Sequence, residues 1–172
     1  MSVATSRRGF VLAGTASFVG TALVSGCGFE LRRAPELRFR TIQLVGFRQR
    51  SPLHDELRTN INASTTTLVV DGPATAQVVL ESLDDVREKV VVASGAVGQV
   101  TEFQLRERFT FRLKSVGGRE LIPRTEITQN RDMNYTESAA LGKEQEEAFL
   151  FRAMQSDIVS QVMRRLASVQ TF

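Results

Sequence analysis

The chain of 172 residues has no tryptophan, and it has one cysteine and one histidine, Cys27 and His54. A single cysteine excludes an intramolecular disulfide, a CxxC redox pair and a cysteine-rich metal site. A single histidine excludes every multi-histidine centre. There is no GxSxG elbow, no HExxH helix and no glycine-rich phosphate loop. Much nucleophilic, zinc-dependent and nucleotide-dependent chemistry goes with them. Asp84 and Asp85 are a carboxylate pair in sequence only, because neighbours on a strand face opposite sides. Glu144, Glu146 and Glu147 read as a solvated helix start. His54, beside Asp55 and Glu56 in the first turn of a helix, reads as a solvent-exposed surface side chain. No metal or other cofactor is expected, and the residues favour binding or assembly over catalysis.

A large excess of charge is also missing. The formal net charge is +3, but Arg7 and Arg8 lie in a segment that looks removable; without them 20 basic residues face 19 acidic ones. A nucleic-acid binder carries a far larger excess, so nucleic acid is not an expected partner. The asymmetry is local: Arg32, Arg33, Arg38, Arg40, Arg48 and Arg50 crowd the start of the remaining chain against Glu30 and Glu36.

Nor is the N-terminal apolar run long enough to span a bilayer. Phe10 to Val24 falls short of the roughly 20 residues a crossing helix needs. It follows a short basic stretch, Met1 to Arg8, and ends at Val24-Ser25-Gly26-Cys27, the layout of a signal peptide. The tetrapeptide resembles the lipobox of bacterial lipoproteins. There the thiol takes a diacylglycerol, the small residues admit the peptidase, and the freed amine receives an N-acyl chain. Each buried CH₂ adds about 0.8 kcal/mol of membrane affinity, so several chains on Cys27 make a firm anchor. The expected organisation is a removed signal peptide at 1–26, a lipidated tether at 27–36 and one domain at 37–172. Ser6-Arg7-Arg8-Gly9-Phe10-Val11-Leu12 resembles a twin-arginine export signal, and an ordinary basic start reads equally well. Either route crosses the inner membrane. Gly28 stands where inner-membrane lipoproteins tend to carry Asp, which implies outer-membrane sorting.

What is present is a globular pattern, with 42% hydrophobic and 24% charged residues and eleven Phe as bulky core material. Leu37 to Gly46 reads as a strand. Ser51-Pro52 opens a short helix, Ser as N-cap and Pro at the first position, with Leu53, Leu57 and Ile61 on one face. Leu68 to Val70 is a short extended piece. Three strands follow: Ala76 to Ala93, with a bulge or bend at Asp84-Asp85; Val97 to Leu113; and Arg119 to Gln129, where Pro123 predicts an edge or a bulge. In the middle strand Thr101, Phe103, Leu105, Phe109, Phe111 and Leu113 point one way. Glu102, Gln104, Arg106, Arg108, Thr110 and Arg112 point the other. A long helix from about Ser138, its expected N-cap, to Ser168 carries an apolar stripe through Phe151, Met154, Ile158, Val162 and Val169. This order predicts an α+β fold, two helices packed on one face of a mainly antiparallel sheet.

Cys27-Gly28-Phe29-Glu30-Leu31-Arg32, then Leu141-Gly142-Lys143-Glu144-Gln145-Glu146-Glu147 with Met154, Asp157 and Arg164-Arg165-Leu166, resemble the LptE family of lipopolysaccharide-assembly lipoproteins. The resemblance implies two helices on a four-stranded sheet. It implies a non-enzymatic outer-membrane lipoprotein, anchored on the periplasmic side, that plugs the LptD β-barrel in a one-to-one complex and binds lipopolysaccharide. The alternative is a periplasmic adaptor or pilotin-type lipoprotein. The resemblance maps one lipopolysaccharide-binding lysine onto Lys143. A second basic position, in the hairpin between the second and third strands, falls on Ala93-Ser94-Gly95-Ala96, where no basic residue stands. Arg106, Arg108 and Arg112 on the wet strand face, or Arg119 and Arg124, are substitutes. The residues alone also allow Lys143 to be an ordinary helix lysine pairing with Glu147.

Overall fold

Capping fixes the first helix. The Ser51 side chain accepts from the His54 backbone N–H, Pro52 occupies the first position, and helix α1 runs Pro52–Asn62. Leu53, Leu57 and Ile61 are fully buried, as their spacing requires. The computed structural model describes residues 36–170. Cys27, the expected signal peptide and the tether up to Pro35 lie outside the described residues.

Before α1 comes strand β1, Thr41–Val45, and after it β2, Leu68–Val69. Then follow β3, Val78–Ser94, β4, Val100–Ser115, and β5, Glu120–Asn134. Helix α2, Ala140–Ala167, closes the domain. The sheet corrects the four-stranded expectation. It has five strands in the order β2-β1-β3-β4-β5, and β1 is parallel to both neighbours. Only β3, β4 and β5 form the antiparallel meander. The fifth strand is the piece around Leu68. Two residues carry no periodicity, yet the Leu68 and Val70 amides donate to Arg40 and Ile42 at 2.9 Å, and α1 supplies the crossover that parallel pairing needs.

The return from β1 to α1 depends on Gly46. Its φ is +80°, and a Cβ there would lie 2.3 Å from the Ser82 carbonyl oxygen, so only glycine fits this approach to β3. In β3 the register shifts between Ser82 and Asp84, a bulge at the expected place. β5 is an edge strand, and its ladder with β4 slips between Phe111 and Leu113, close to Pro123. The last helix starts later than expected. Ser138 lies inside a 3₁₀ turn, Glu137–Ala139, and the cap position is Ala139, without a side-chain cap.

One hydrophobic cluster joins the layers: Leu53, Leu57 and Ile61 from α1, Ile158, Val162 and Leu166 from α2, Leu80 from β3, and Phe109, Phe111 and Leu113 from β4. Phe109 stacks on Phe111 at 5.5 Å and on Phe47 at 5.9 Å. Burying each such side chain contributes about 1.5–3 kcal/mol. Both helices therefore cover one face of the sheet.

Candidate functional site

Lys143 sits in the first turns of α2, its side chain 21% exposed, with Nζ 2.7 Å from Glu146. The expected partner Glu147 is engaged elsewhere: Lys89 of β3 reaches it at 2.6 Å and lies 4.2 Å above the Phe103 ring. Two lysines thus stand at the N-terminal part of α2, each matched by a glutamate. Lys89 was not legible as a candidate, because the strand that carries it is 58 residues from its partner.

The candidate arginines occupy the other side. Arg106, Arg108 and Arg112 alternate with the buried Leu105, Phe109, Phe111 and Leu113, so they lie on the face of β4 turned away from the helices. The sheet separates them from Lys143, and the four do not form one site. Arg112 Nε donates to Glu81 at 2.6 Å, with Lys114 3.8 Å from the same carboxylate, and Arg108 pairs with Asp84 at 3.3 Å. The bond from Arg112 holds Glu81 below the usual carboxylate range, and Glu81 raises Arg112 in return. Arg106 binds the amide oxygen of Gln104 at 2.7 Å, and Gln104 in turn binds Asp132 at 2.9 Å. Arg119 and Arg124 are exposed, at the turn before β5 and within it. On this face Arg108, Arg112 and Lys114 find carboxylates across the strands, whereas Arg106 and Asp132 meet the neutral amide of Gln104.

His54 is half-buried rather than exposed. Its ring meets Phe47 edge-on at 5.3 Å, and Nδ1 lies 3.0 Å from Asp55. Asp85 does not pair with Asp84; it takes a 3.5 Å hydrogen bond from the Ser51 hydroxyl.

The sequence pattern also passes over Glu107, which shares the phase of Leu105 and Phe109 and is fully buried with them. Arg87 of β3 donates to its Oε1 through Nε at 3.1 Å and Nη2 at 3.0 Å, while Oε2 has no hydrogen-bond partner. Burial pushes this carboxyl above its ordinary pKa, and Arg87 pulls the other way. Arg87 also donates to Gln155 and lies 5.6 Å over the Phe151 ring. Gln155 donates to Glu56 at 2.5 Å, and the Ser156 hydroxyl donates to it at 2.6 Å. This chain of polar contacts ties β3 and β4 to both helices. Among the described residues no group of three or more His, Cys, Asp and Glu could hold a metal ion, and no helix is long and apolar enough to cross a membrane. The arrangement offers charge-matched surfaces and one buried ion pair, which suit binding.

The chain matches the family model described as LptE, lipopolysaccharide-assembly, over residues 39–166. It is similar to the solution structure of an uncharacterized lipoprotein B from Nitrosomonas europaea. The identity is 27% and the TM-score 0.71, covering 82% of this chain and 91% of that one. The rare lipoprotein B of Shewanella oneidensis shares the fold at 20% identity and a TM-score of 0.64, over 75% of this chain and 95% of that one. A minor lipoprotein from Acinetobacter baumannii does so at 20% identity and 0.62, over 77% and 93%. No curated protein matches the chain significantly.

Proposed function

Because the chain belongs to the LptE lipopolysaccharide-assembly family, we propose that it plugs an LptD β-barrel in a one-to-one complex and binds lipopolysaccharide on its way to the outer leaflet. Acyl chains on Cys27 hold it to the outer membrane from the periplasmic side. It performs no catalysis and needs no cofactor beyond this lipid.

One observation carries the plug reading: the sheet face away from the helices is polar, with Arg112–Glu81 and Arg108–Asp84 as ion pairs across the strands and Asp132 hydrogen-bonded to Gln104. Barrel interiors are polar, and a plug must present a surface that does not bury unpaired charge. Lipid A phosphates are anionic and accept charge-assisted hydrogen bonds from Lys and Arg. Lys143 can exchange Glu146 for a phosphate at little cost, since an exposed ion pair is worth only about 0–1 kcal/mol. Arg106, held by the neutral amide of Gln104 and not by a carboxylate, is freer to turn to a phosphate than Arg108 or Arg112. Arg108 and Arg112 would first have to release Asp84 and Glu81.

The test is an affinity pull-down of the tagged protein from detergent-solubilised outer membranes, with mass spectrometry of what co-purifies. A stoichiometric barrel protein together with lipopolysaccharide is the expected result. A lone lipoprotein, or a soluble partner, would replace the plug with the adaptor reading. Lys143→Asp should then weaken lipopolysaccharide binding without altering the circular dichroism spectrum. Unchanged binding by the folded variant would remove Lys143 from the site.

A further inference from the structure

Strand β3 is far longer than the neighbour on its outer side. β1 pairs with it only from Val78 to Glu81, whereas β3 continues to Ser94. Gly46 crowds Ser82 and the Ser51 hydroxyl reaches Asp85, so the turn before α1 accompanies the edge that far. From Glu88 to Ser94 no strand lies outside β3 among the described residues. Each second residue of an outer strand turns its N–H and C=O away from the sheet, so this stretch presents unpaired backbone groups.

Its side chains deepen the anomaly. Val90, Val91 and Val92 are 36%, 49% and 46% exposed, and Val97 across the turn is 85% exposed. No charged residue occurs between Lys89 and Glu102. Successive valines point to opposite faces, so both faces of the ribbon are apolar here, the pattern of a strand covered on both sides. The opposite edge of the sheet is protected in the ordinary way: β5 carries Pro123, Arg124, Glu126, Arg131 and Asp132. The register shift between Val91 and Ala93 bends the β3 ribbon but adds no charge to it. A short uncharged β-branched run on an open edge is a hazard unless something covers it.

We propose that the edge of β3 from Glu88 to Ser94 is a strand-addition site that accepts an extended, proline-free segment of the barrel protein, with apolar or β-branched residues against Val90–Val92. This rests on the barrel reading above. Hydrocarbon does not fit as the occupant, because it leaves the outward N–H and C=O groups unsatisfied. An added strand pairs them and covers the valines in one step. Inside a one-to-one plug no second copy of this chain reaches the edge, and because barrel strands already pair with one another, the added segment is a loop or terminus of the barrel protein.

Backbone amide hydrogen exchange over residues 86–94 tests the pairing, compared between the isolated chain and its complex with the co-purified barrel protein in the same detergent. Exchange in the complex should slow at least tenfold. The pair Val91→Lys with Val92→Lys, on exposed positions, should fold normally and lower recovery of the barrel protein about tenfold, while Leu141→Lys, also exposed, leaves recovery unchanged. Recovery of the complex with unchanged exchange overturns the site and leaves the barrel reading standing. Protection that grows with the concentration of the isolated chain assigns the edge to a second copy and overturns the proposal. Failure to recover any barrel protein removes the barrel reading and this site together.

Discussion

Replacing Arg87 by Ala should cost far more than its half-surface position implies, and the cost should depend on pH. Glu107 is fully buried and receives both of its hydrogen bonds from Arg87, whose own side chain is 37% exposed. Removing one member of a buried pair costs about 3–5 kcal/mol when the other charge stays buried. Solvent around Arg87 screens the pair, so the lower end, about 3 kcal/mol, is expected at pH 8. With a urea slope of about 1–3 kcal/mol per molar, the unfolding midpoint falls by about 1–3 M. Burial already holds the Glu107 pKa above 4.5. A carboxyl raised in this way contributes its stability below its unfolded pKa and loses it as pH rises through the folded one. Removing Arg87 takes away the attraction that opposes the rise. The variant can relieve itself by protonating Glu107 in acid but not in base. Urea titrations at pH 5 and pH 8, followed by circular dichroism, should therefore show the larger deficit at pH 8. Adding Glu107→Gln to Arg87→Ala should restore more than half of the loss. Equal deficits at the two pH values, or a deficit below about 1 kcal/mol at pH 8, would refute a buried, dependent carboxylate.

Glu81, with its pKa lowered by Arg112, behaves oppositely: it contributes stability above the unfolded carboxylate pKa of about 4.5 and loses it as pH falls through the folded value. Arg112→Ala should thus destabilise only slightly at pH 7, and by less below pH 4, read from the same titrations. Gly46→Ala should lower stability by about 2–3 kcal/mol, because it adds both a left-handed backbone penalty and a clash with Ser82; an unchanged thermal midpoint would show that β1 and β3 move apart freely. Cys27→Ala should abolish metabolic labelling with radioactive fatty acid, and normal labelling of that variant would disprove the lipobox.

The parts of the fold legible in sequence are those fixed by near neighbours. Ser51, Pro52 and the spacing of Leu53, Leu57 and Ile61 specify α1 within a dozen residues, and the alternation through β4 separates its buried and wet faces. The mixed sheet was not legible, because β1 finds its parallel partners beyond a helix and a loop, and β2 is too short to show a period. Glu107 escaped the pattern because a single carboxylate in an apolar phase is visible only once Arg87 is placed across from it. The site divides in the same way. The resemblance singled out Lys143, but its pairing with Glu146 and not Glu147 depends on Lys89, which takes Glu147 from another strand. The alternation correctly put Arg106, Arg108 and Arg112 on one face, but it could not tell that two of them are held by carboxylates of β3.

The contact between Lys89 and Glu147 can also be viewed mechanically. The ribbon of β3, β4 and β5 runs on past β1, and this ion pair is one clamp between it and α2. A second lies further out: β5 pairs with β4 as far as Glu102, and the chain passes from Asn134 through the 3₁₀ turn directly into α2. One clamp is therefore ionic and reversible, and the other is covalent. Loosening the first with salt or by Lys89→Ala leaves the second in place, so the ribbon pivots on its β5 side instead of swinging free.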